Sequence, residues 1–165
     1  MLTPANLPSH VIATMREEIA VSTLINAFGP TLVIWLLHVS PPQVLVGPHD
    51  ILSVLVLGAG VATLLMTLIL TLVIRKRVAT GGLEAFIWPR ASRGAYRLIP
   101  QNLLARAIVL ASMAIVSLAP LGFALVALGH LLPFSASFQI IFNFLYGTCV
   151  GMLMTRFIVL AALAD

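Results

Sequence analysis

The sequence contains very few charged residues. Asp, Glu, Lys and Arg make up only 8% of its 165 residues, whereas 61% are hydrophobic. A soluble domain has about 25% charged residues, so this chain has too few of them to cover a globule with a hydrated surface. We therefore predict an integral membrane protein whose solvent is mainly lipid.

Cysteine and intramembrane carboxylates are also scarce. The single cysteine, Cys149, excludes an intrachain disulfide, and its position inside an apolar stretch predicts a buried, inert thiol. No Asp, Glu or Lys lies inside a predicted span, although ion-coupled transport usually uses an intramembrane carboxylate. The sequence also has no Ser/His/Asp arrangement, phosphate-binding glycine loop or cysteine cluster, so we expect neither an enzyme nor a metal site.

Four long apolar stretches predict an all-α, polytopic membrane protein with four transmembrane helices in two hairpins. Twenty helical residues rise about 30 Å, which is the thickness of the hydrocarbon core. A charged run at 16–18 precedes the first span, and Asp50 and Asn102 are placed to cap the second and third helices. The spans cover residues 19–38, 51–74, 103–128 and 134–162, within a single domain over residues 1–165.

The distribution of basic residues predicts the orientation in the membrane. All nine Lys and Arg residues lie in the N-terminal segment, between residues 75 and 106, or at Arg156, and the turns at 40–50 and 129–137 have none. Because basic segments stay in the cytoplasm, both termini and the loop at 75–101 are placed on the cytoplasmic side of the inner membrane. This orientation accounts for the basic excess, so we expect no nucleic-acid partner.

A row of small and polar residues runs along the fourth span. Residues four apart on a helix lie one above the other, so the row forms a groove with Gly-x-x-x-Gly at its centre. In a membrane such a groove allows another helix to approach closely. Its members are Gln139, Asn143, Gly147, Gly151 and Thr155.

The second span carries a similar row, formed by Ala59, Thr63 and Thr67. We expect the two rows either to face each other within the chain or to serve as docking surfaces for other subunits. The choice between a closed bundle and two docking surfaces is left open by the sequence.

Further helix-packing residues are an intramembrane amide, Asn26, and two prolines, Pro30 and Pro120. An interhelical hydrogen bond of Asn26 would contribute on the order of 1 kcal/mol. The prolines predict kinks in the first and third spans, which neighbouring helices can accommodate. The depths of Asn26 and Asn143, reckoned from helical rise, differ, so we expect no direct hydrogen bond between these two amides.

Aromatic and basic residues alternate in the loop between the second and third spans. They are Trp88, Arg90, Arg93, Tyr96 and Arg97. This pattern suits an interface with anionic lipid headgroups, and it could equally bind an acidic surface of a partner. The simplest interpretation is a cytoplasmic anchor that follows the positive-inside rule.

Three histidines, His38, His49 and His130, lie at the ends of different spans on the side away from the cytoplasm. Imidazoles there could ligate haem or another pigment, or hydrogen-bond a quinone. Their spacing is not that of a metal motif, and the simplest interpretation is that histidine suits the headgroup region. We therefore expect no cofactor, with haem, pigment or quinone as the alternative.

Helix-packing signals outnumber chemical ones, which favours a non-catalytic accessory or assembly subunit of a larger respiratory, photosynthetic or transport complex in the inner membrane. Its partners would be lipids and other integral membrane subunits, or further copies of the chain. A small oligomeric transporter or channel is the alternative, in which the prolines and amides would mark a gated path. The third hypothesis is a cofactor-binding membrane protein that uses the outer histidines.

Overall fold

The computed structural model describes residues 9–37, 45–84, 99–129 and 134–163. Within these ranges the chain forms four α-helices and one pair of two-residue strands, so the predicted all-α architecture is confirmed apart from this short ladder. The helices are α1 (Ser9–Leu37), α2 (Pro48–Ala79), α3 (Leu103–Leu128) and α4 (Ala136–Leu163), and the strands are β1 (Leu45–Val46) and β2 (Phe134–Ser135).

Three of the helices are long and apolar enough to cross a membrane, namely α2, α3 and the part Phe138–Leu163 of α4. The sequence predicts four spans, but the described part of α1 is not among these three helices. In the structure α1 begins at Ser9 and already includes the charged run at 16–18, which we expected to precede the helix. Three such helices are consistent with a multi-pass membrane protein.

The starts of α2 and α3 follow from local chemistry. Pro48 occupies the first turn of α2, where a missing N–H costs no helical hydrogen bond. The Asp50 carboxylate accepts a hydrogen bond of 3.0 Å from the backbone N–H of Gly47. Asn102 caps α3, as the sequence predicts, by accepting bonds of 3.0 and 3.2 Å from two backbone N–H groups of the first turn.

The helices lie in the spatial order α1–α4–α2–α3. α1 packs along α4, α4 also contacts α2, and α2 packs along α3, so that α1 and α3 form the two edges. The two largest interfaces, α1 with α4 and α2 with α3, each join one helix of the first predicted hairpin to one of the second. The antiparallel pairing of β1 with β2, Leu45 opposite Ser135, joins the segment before α2 directly to the segment before α4.

Buried apolar side chains form three clusters along the length of the helices. One lies at the end that carries the basic residues, which we call the basic end, one lies in the middle, and one lies at the opposite end. Representative members are Val11, Ile74 and Val159 for the first, Ala59, Leu110 and Val150 for the second, and Ile51, Leu55 and Ala119 for the third.

At the basic end, arginine side chains form hydrogen bonds with backbone carbonyls. Arg75 donates a 2.7 Å hydrogen bond from Nη2 to the carbonyl oxygen of Gln101, which precedes α3. Arg106, which is only 2% exposed, donates from Nε to the carbonyl oxygen of Pro100 at 3.0 Å. The two guanidinium groups therefore donate to backbone carbonyls of the residues that immediately precede α3.

A salt bridge joins α1 to α2 at the same end. Arg77 Nη1 lies 3.0 Å from Glu18 Oε1, and the Glu18 side chain is 9% exposed whereas that of Arg77 is 48% exposed. α1 and α2 share only a small interface, so this pair and the contact of Asn26 with Met66 are their main polar links. The carboxylate is the more buried partner and therefore the one that depends on the pair.

We predict that Arg77→Gln lowers the free energy of unfolding by about 1–3 kcal/mol, because it leaves the buried Glu18 carboxylate without its cation. Adding Glu18→Gln should restore part of the loss by removing that charge. Thermal unfolding of the purified protein in mild detergent measures both effects. Lys76→Gln, at an exposed neighbouring base, is the control, and equal effects of the Lys76 and Arg77 variants would contradict the prediction.

Candidate functional site

The glycine groove of α4 contacts α1 at backbone distance. A β-carbon built on Gly147 would overlap the carbonyl oxygen of Asn26 and lie 2.8 Å from its carbonyl carbon. A β-carbon on Gly151 would lie 2.8 Å from the Cα of Thr23. Because only glycine permits such an approach, the groove positions α1 on α4.

An aromatic pair lies beside this backbone contact. The rings of Phe28 and Phe144 have centroids 5.2 Å apart and meet edge to face at 82°. This is a favourable geometry for aromatic rings, worth about 0.5–1.5 kcal/mol beyond the area that they bury. The α1–α4 interface therefore combines close backbone packing with ring packing.

The small-residue row of α2 does not face the α4 groove. Ala59, Thr63 and Thr67 are all fully buried within the chain, and the Thr67 hydroxyl donates to the Thr63 carbonyl at 2.7 Å. Ala59 belongs to the middle cluster with Leu110 of α3 and Val150 of α4. Both rows are thus covered by helices of the same chain, and neither is a docking surface for another subunit.

Three helices meet at the sulfur of Met66. The Asn26 side-chain nitrogen of α1 donates to Met66 Sδ at 3.0 Å and to the Ser22 carbonyl at 2.8 Å. The Thr155 hydroxyl of α4 donates to the same sulfur at 3.5 Å. A thioether sulfur is a weak hydrogen-bond acceptor. These contacts therefore fix the relative positions of the three helices more than they stabilise the fold. Sequence reasoning missed Met66, because a methionine in an apolar helix is normally a simple filler of space.

Asn26 and Asn143 lie at a similar depth, contrary to the expectation from helical rise, but no hydrogen bond joins them. The Asn143 side-chain nitrogen donates to the Gln139 carbonyl at 2.8 Å, within its own helix. Both amides nevertheless line one cavity of about 30 Å³. Its walls are formed by Asn26, Val54, Gly58, Ala62, Asn143, Tyr146, Gly147 and Val150.

Pro30 gives the Asn26 carbonyl a special role. In an α-helix the carbonyl of residue 26 accepts from the N–H of residue 30, and proline has no N–H. The oxygen that loses this donor is the one that a Gly147 β-carbon would overlap. Contacts between glycine Cα–H groups and carbonyl oxygens are common where membrane helices approach closely. The α4 glycine therefore covers the backbone group that the α1 proline exposes.

The remaining predicted site residues lie in α2, α3 and α4 or outside the described residues. Pro120 lies within α3 on an exposed face, and Gln139 is buried with its Oε1 making no hydrogen bond among the described residues. His49 is exposed in the first turn of α2, whereas His38 and His130 lie outside the described residues. The loop residues Trp88, Arg90, Arg93, Tyr96 and Arg97 also lie outside them.

The exposure of Cys149 differs from the predicted burial of its thiol. The sequence predicts a buried thiol, but Cys149 lies on the exposed face of α4, opposite the packed groove. Its neighbours along the chain, Gly147 and Gly151, occupy the buried face, and residue 149 is turned roughly 200° from each of them on the helix. An apolar environment for this thiol would thus come from lipid or a partner.

No family model matches this chain, and no curated protein or solved structure is significantly similar to it. Its function is therefore inferred from its own contacts. Within the described residues, no group of three or more His, Cys, Asp or Glu side chains could hold a metal ion. The described chemistry of the site consists of hydrogen bonds, close helix packing and a small cavity lined by two amides.

We predict that Gly147→Ala and Gly151→Ala each lower the free energy of unfolding by at least about 1–3 kcal/mol, since a backbone must move to admit the methyl group. Leucine at either position should prevent folding or assembly. Thermal unfolding in detergent measures the loss.

The matched control for these variants is Gly58→Ala, because a β-carbon there meets no atom within 4 Å. Alanine is the better helix former, so this change should be neutral or stabilising by up to about 1 kcal/mol. Leu145→Ala and Leu153→Ala, on the exposed face, should also have small effects. Equal losses at positions 58 and 147 would contradict the proposed backbone contact.

Proposed function

We propose that this chain is a non-catalytic accessory or assembly subunit of a larger protein complex in the inner membrane. In this proposal all four helices span the membrane, and both termini and the basic loop at 75–101 lie in the cytoplasm, where the positive-inside rule places them. The edge helix α3 is the surface that binds a transmembrane helix of another subunit.

The exposure of α3 supports this proposal. Only 28% of its most apolar stretch is buried within the chain, against 44% in α2 and in α4. Its uncovered face carries large side chains such as Val116, which is 75% exposed, and Leu121 and Leu125. Lipid alone could cover such an apolar face, so a further feature is needed to indicate a protein partner.

That feature is Pro120, the single observation that carries the proposal. Proline at position 120 has no N–H for the carbonyl of Val116, which lies on the exposed face of α3. A backbone carbonyl without a donor costs several kcal/mol in hydrocarbon. The neighbouring Ser117 hydroxyl donates to the Met113 carbonyl at 2.6 Å, so its hydrogen is already used.

The chemistry of the partner follows from this carbonyl. A helix that packs against α3 at the level of Pro120 would need a side-chain donor, such as the hydroxyl of Ser or Thr or the amide of Asn or Gln. The equivalent carbonyl of α1, at Asn26, is already covered by α4. Of these two proline sites, only the one on α3 faces outward.

Lipid headgroups are the second class of partner in the proposal. Lys76 and Arg156 are exposed at the basic end, where anionic headgroups of the cytoplasmic leaflet would lie. The loop residues predicted to join them lie outside the described residues. These contacts would anchor the subunit, and α3 would determine which protein it binds.

We predict that a photo-crosslinking residue at Val116 or Ser117 captures a different integral membrane protein in intact membranes. The same residue at Leu145, which is 57% exposed on α4, should capture mainly lipid. Pro120→Ala should leave the fold intact and weaken capture, because alanine supplies the missing N–H. Gel mobility and mass spectrometry identify the products.

Two results would contradict the proposal. A chain that stays at 17.6 kDa on native separation, with no protein product from either α3 position, would exclude a stable partner on this face. A product formed only with a second copy of the chain would replace the accessory role by self-association.

A further inference from the structure

The cavity between α1, α2 and α4 has room for a water molecule. Its volume is about 30 Å³, and a site needs roughly 10–15 Å³ to hold one water. α2 contributes Val54, Gly58 and Ala62 to the wall, and a β-carbon at Gly58 would meet no atom within 4 Å. A larger organic ligand would not fit this volume.

Two buried amides line the cavity, although the rest of its lining is mainly apolar. Asn26 and Asn143 line it, and each is only 4% exposed. A primary amide has two N–H hydrogens and one oxygen acceptor. Asn143 makes one hydrogen bond to a described residue, through its nitrogen to the Gln139 carbonyl. Its oxygen and second hydrogen are thus left to what occupies the cavity.

Asn26 adds two more acceptors to the same place. Its side-chain nitrogen is committed to the Ser22 carbonyl and to Met66 Sδ, which leaves the side-chain oxygen without a donor among the described residues. Its backbone carbonyl lacks the helical donor because residue 30 is proline, and it lies against Gly147, another cavity residue. The groups around the cavity therefore need donors more than acceptors.

We infer that this cavity binds at least one ordered water molecule. The water donates to the amide oxygens of Asn26 and Asn143 and accepts the second N–H of Asn143. Buried waters typically make about three such bonds to groups that are otherwise unsatisfied, and ordered water is one of the means by which membrane helices tolerate an internal proline. This site is independent of the proposed subunit role, since it lies inside the chain and not on α3.

The test uses the small number of asparagines in the sequence, which are Asn6, Asn26, Asn102 and Asn143. Protein labelled with ¹⁵N-asparagine is reconstituted in lipid bilayers, and solid-state NMR measures polarisation transfer from water protons to the side-chain nitrogens. Asn102 caps α3 and is exposed, so it serves as the hydrated reference. We expect transfer to Asn143 and Asn26 as well, although both are buried among apolar helices.

Variants that fill the cavity provide the decisive comparison. Ala62→Leu places a larger apolar side chain in the cavity without removing any hydrogen-bonding group, and Gly58→Leu does so from a second position. In either variant that retains the wild-type Asn102 signal and helix content, transfer to Asn143 and Asn26 should be lost. An absence of transfer in the wild-type protein would overturn the inference. Transfer that persists in a folded, filled variant would do so too, because the water would then lie elsewhere.

Discussion

The close approach of α1 and α4 is the constraint on which the described arrangement depends. Two glycines one turn apart, Gly147 and Gly151, allow the α4 backbone to touch the α1 backbone at Asn26 and Thr23. Lipid tails are as apolar as leucine, so burial alone drives helices together only weakly in a membrane. Fit between backbones, together with a few polar contacts, must supply the attraction. A single methyl group at either glycine would remove that fit.

The other contacts follow from this approach. With α1 lying on α4, the side chain of Asn26 reaches Met66 of α2, and the carbonyl freed by Pro30 is covered by Gly147. Because α1 occupies one side of α4, α2 uses its own small-residue row against α3 and the remaining side of α4. The outcome is an open layer, α1–α4–α2–α3, rather than a closed ring, and α3 is left less covered than α2 or α4.

Much of the helical content could be predicted from hydrophobic runs, and the α3 cap from Asn102. The sequence also pointed to the groove through the four-residue spacing of Gly147 and Gly151, since such spacing is a local property of one helix. The partner of the groove could not be predicted, because which helix lies opposite depends on long-range packing. Met66 was missed for the same reason: its role appears only when Asn26 and Thr155 converge on its sulfur.

The pairing of α1 with α4 also has a consequence for synthesis of the protein. The two helices are separated by more than ninety residues of chain, from Leu37 to Ala136. The contact between α1 and α4 can therefore form only after α4 has been synthesised. Until then Asn26 can contact Met66 of α2, but the carbonyl freed by Pro30 lacks the cover of Gly147. The helix that is synthesised first is thus the last to gain its main packing partner.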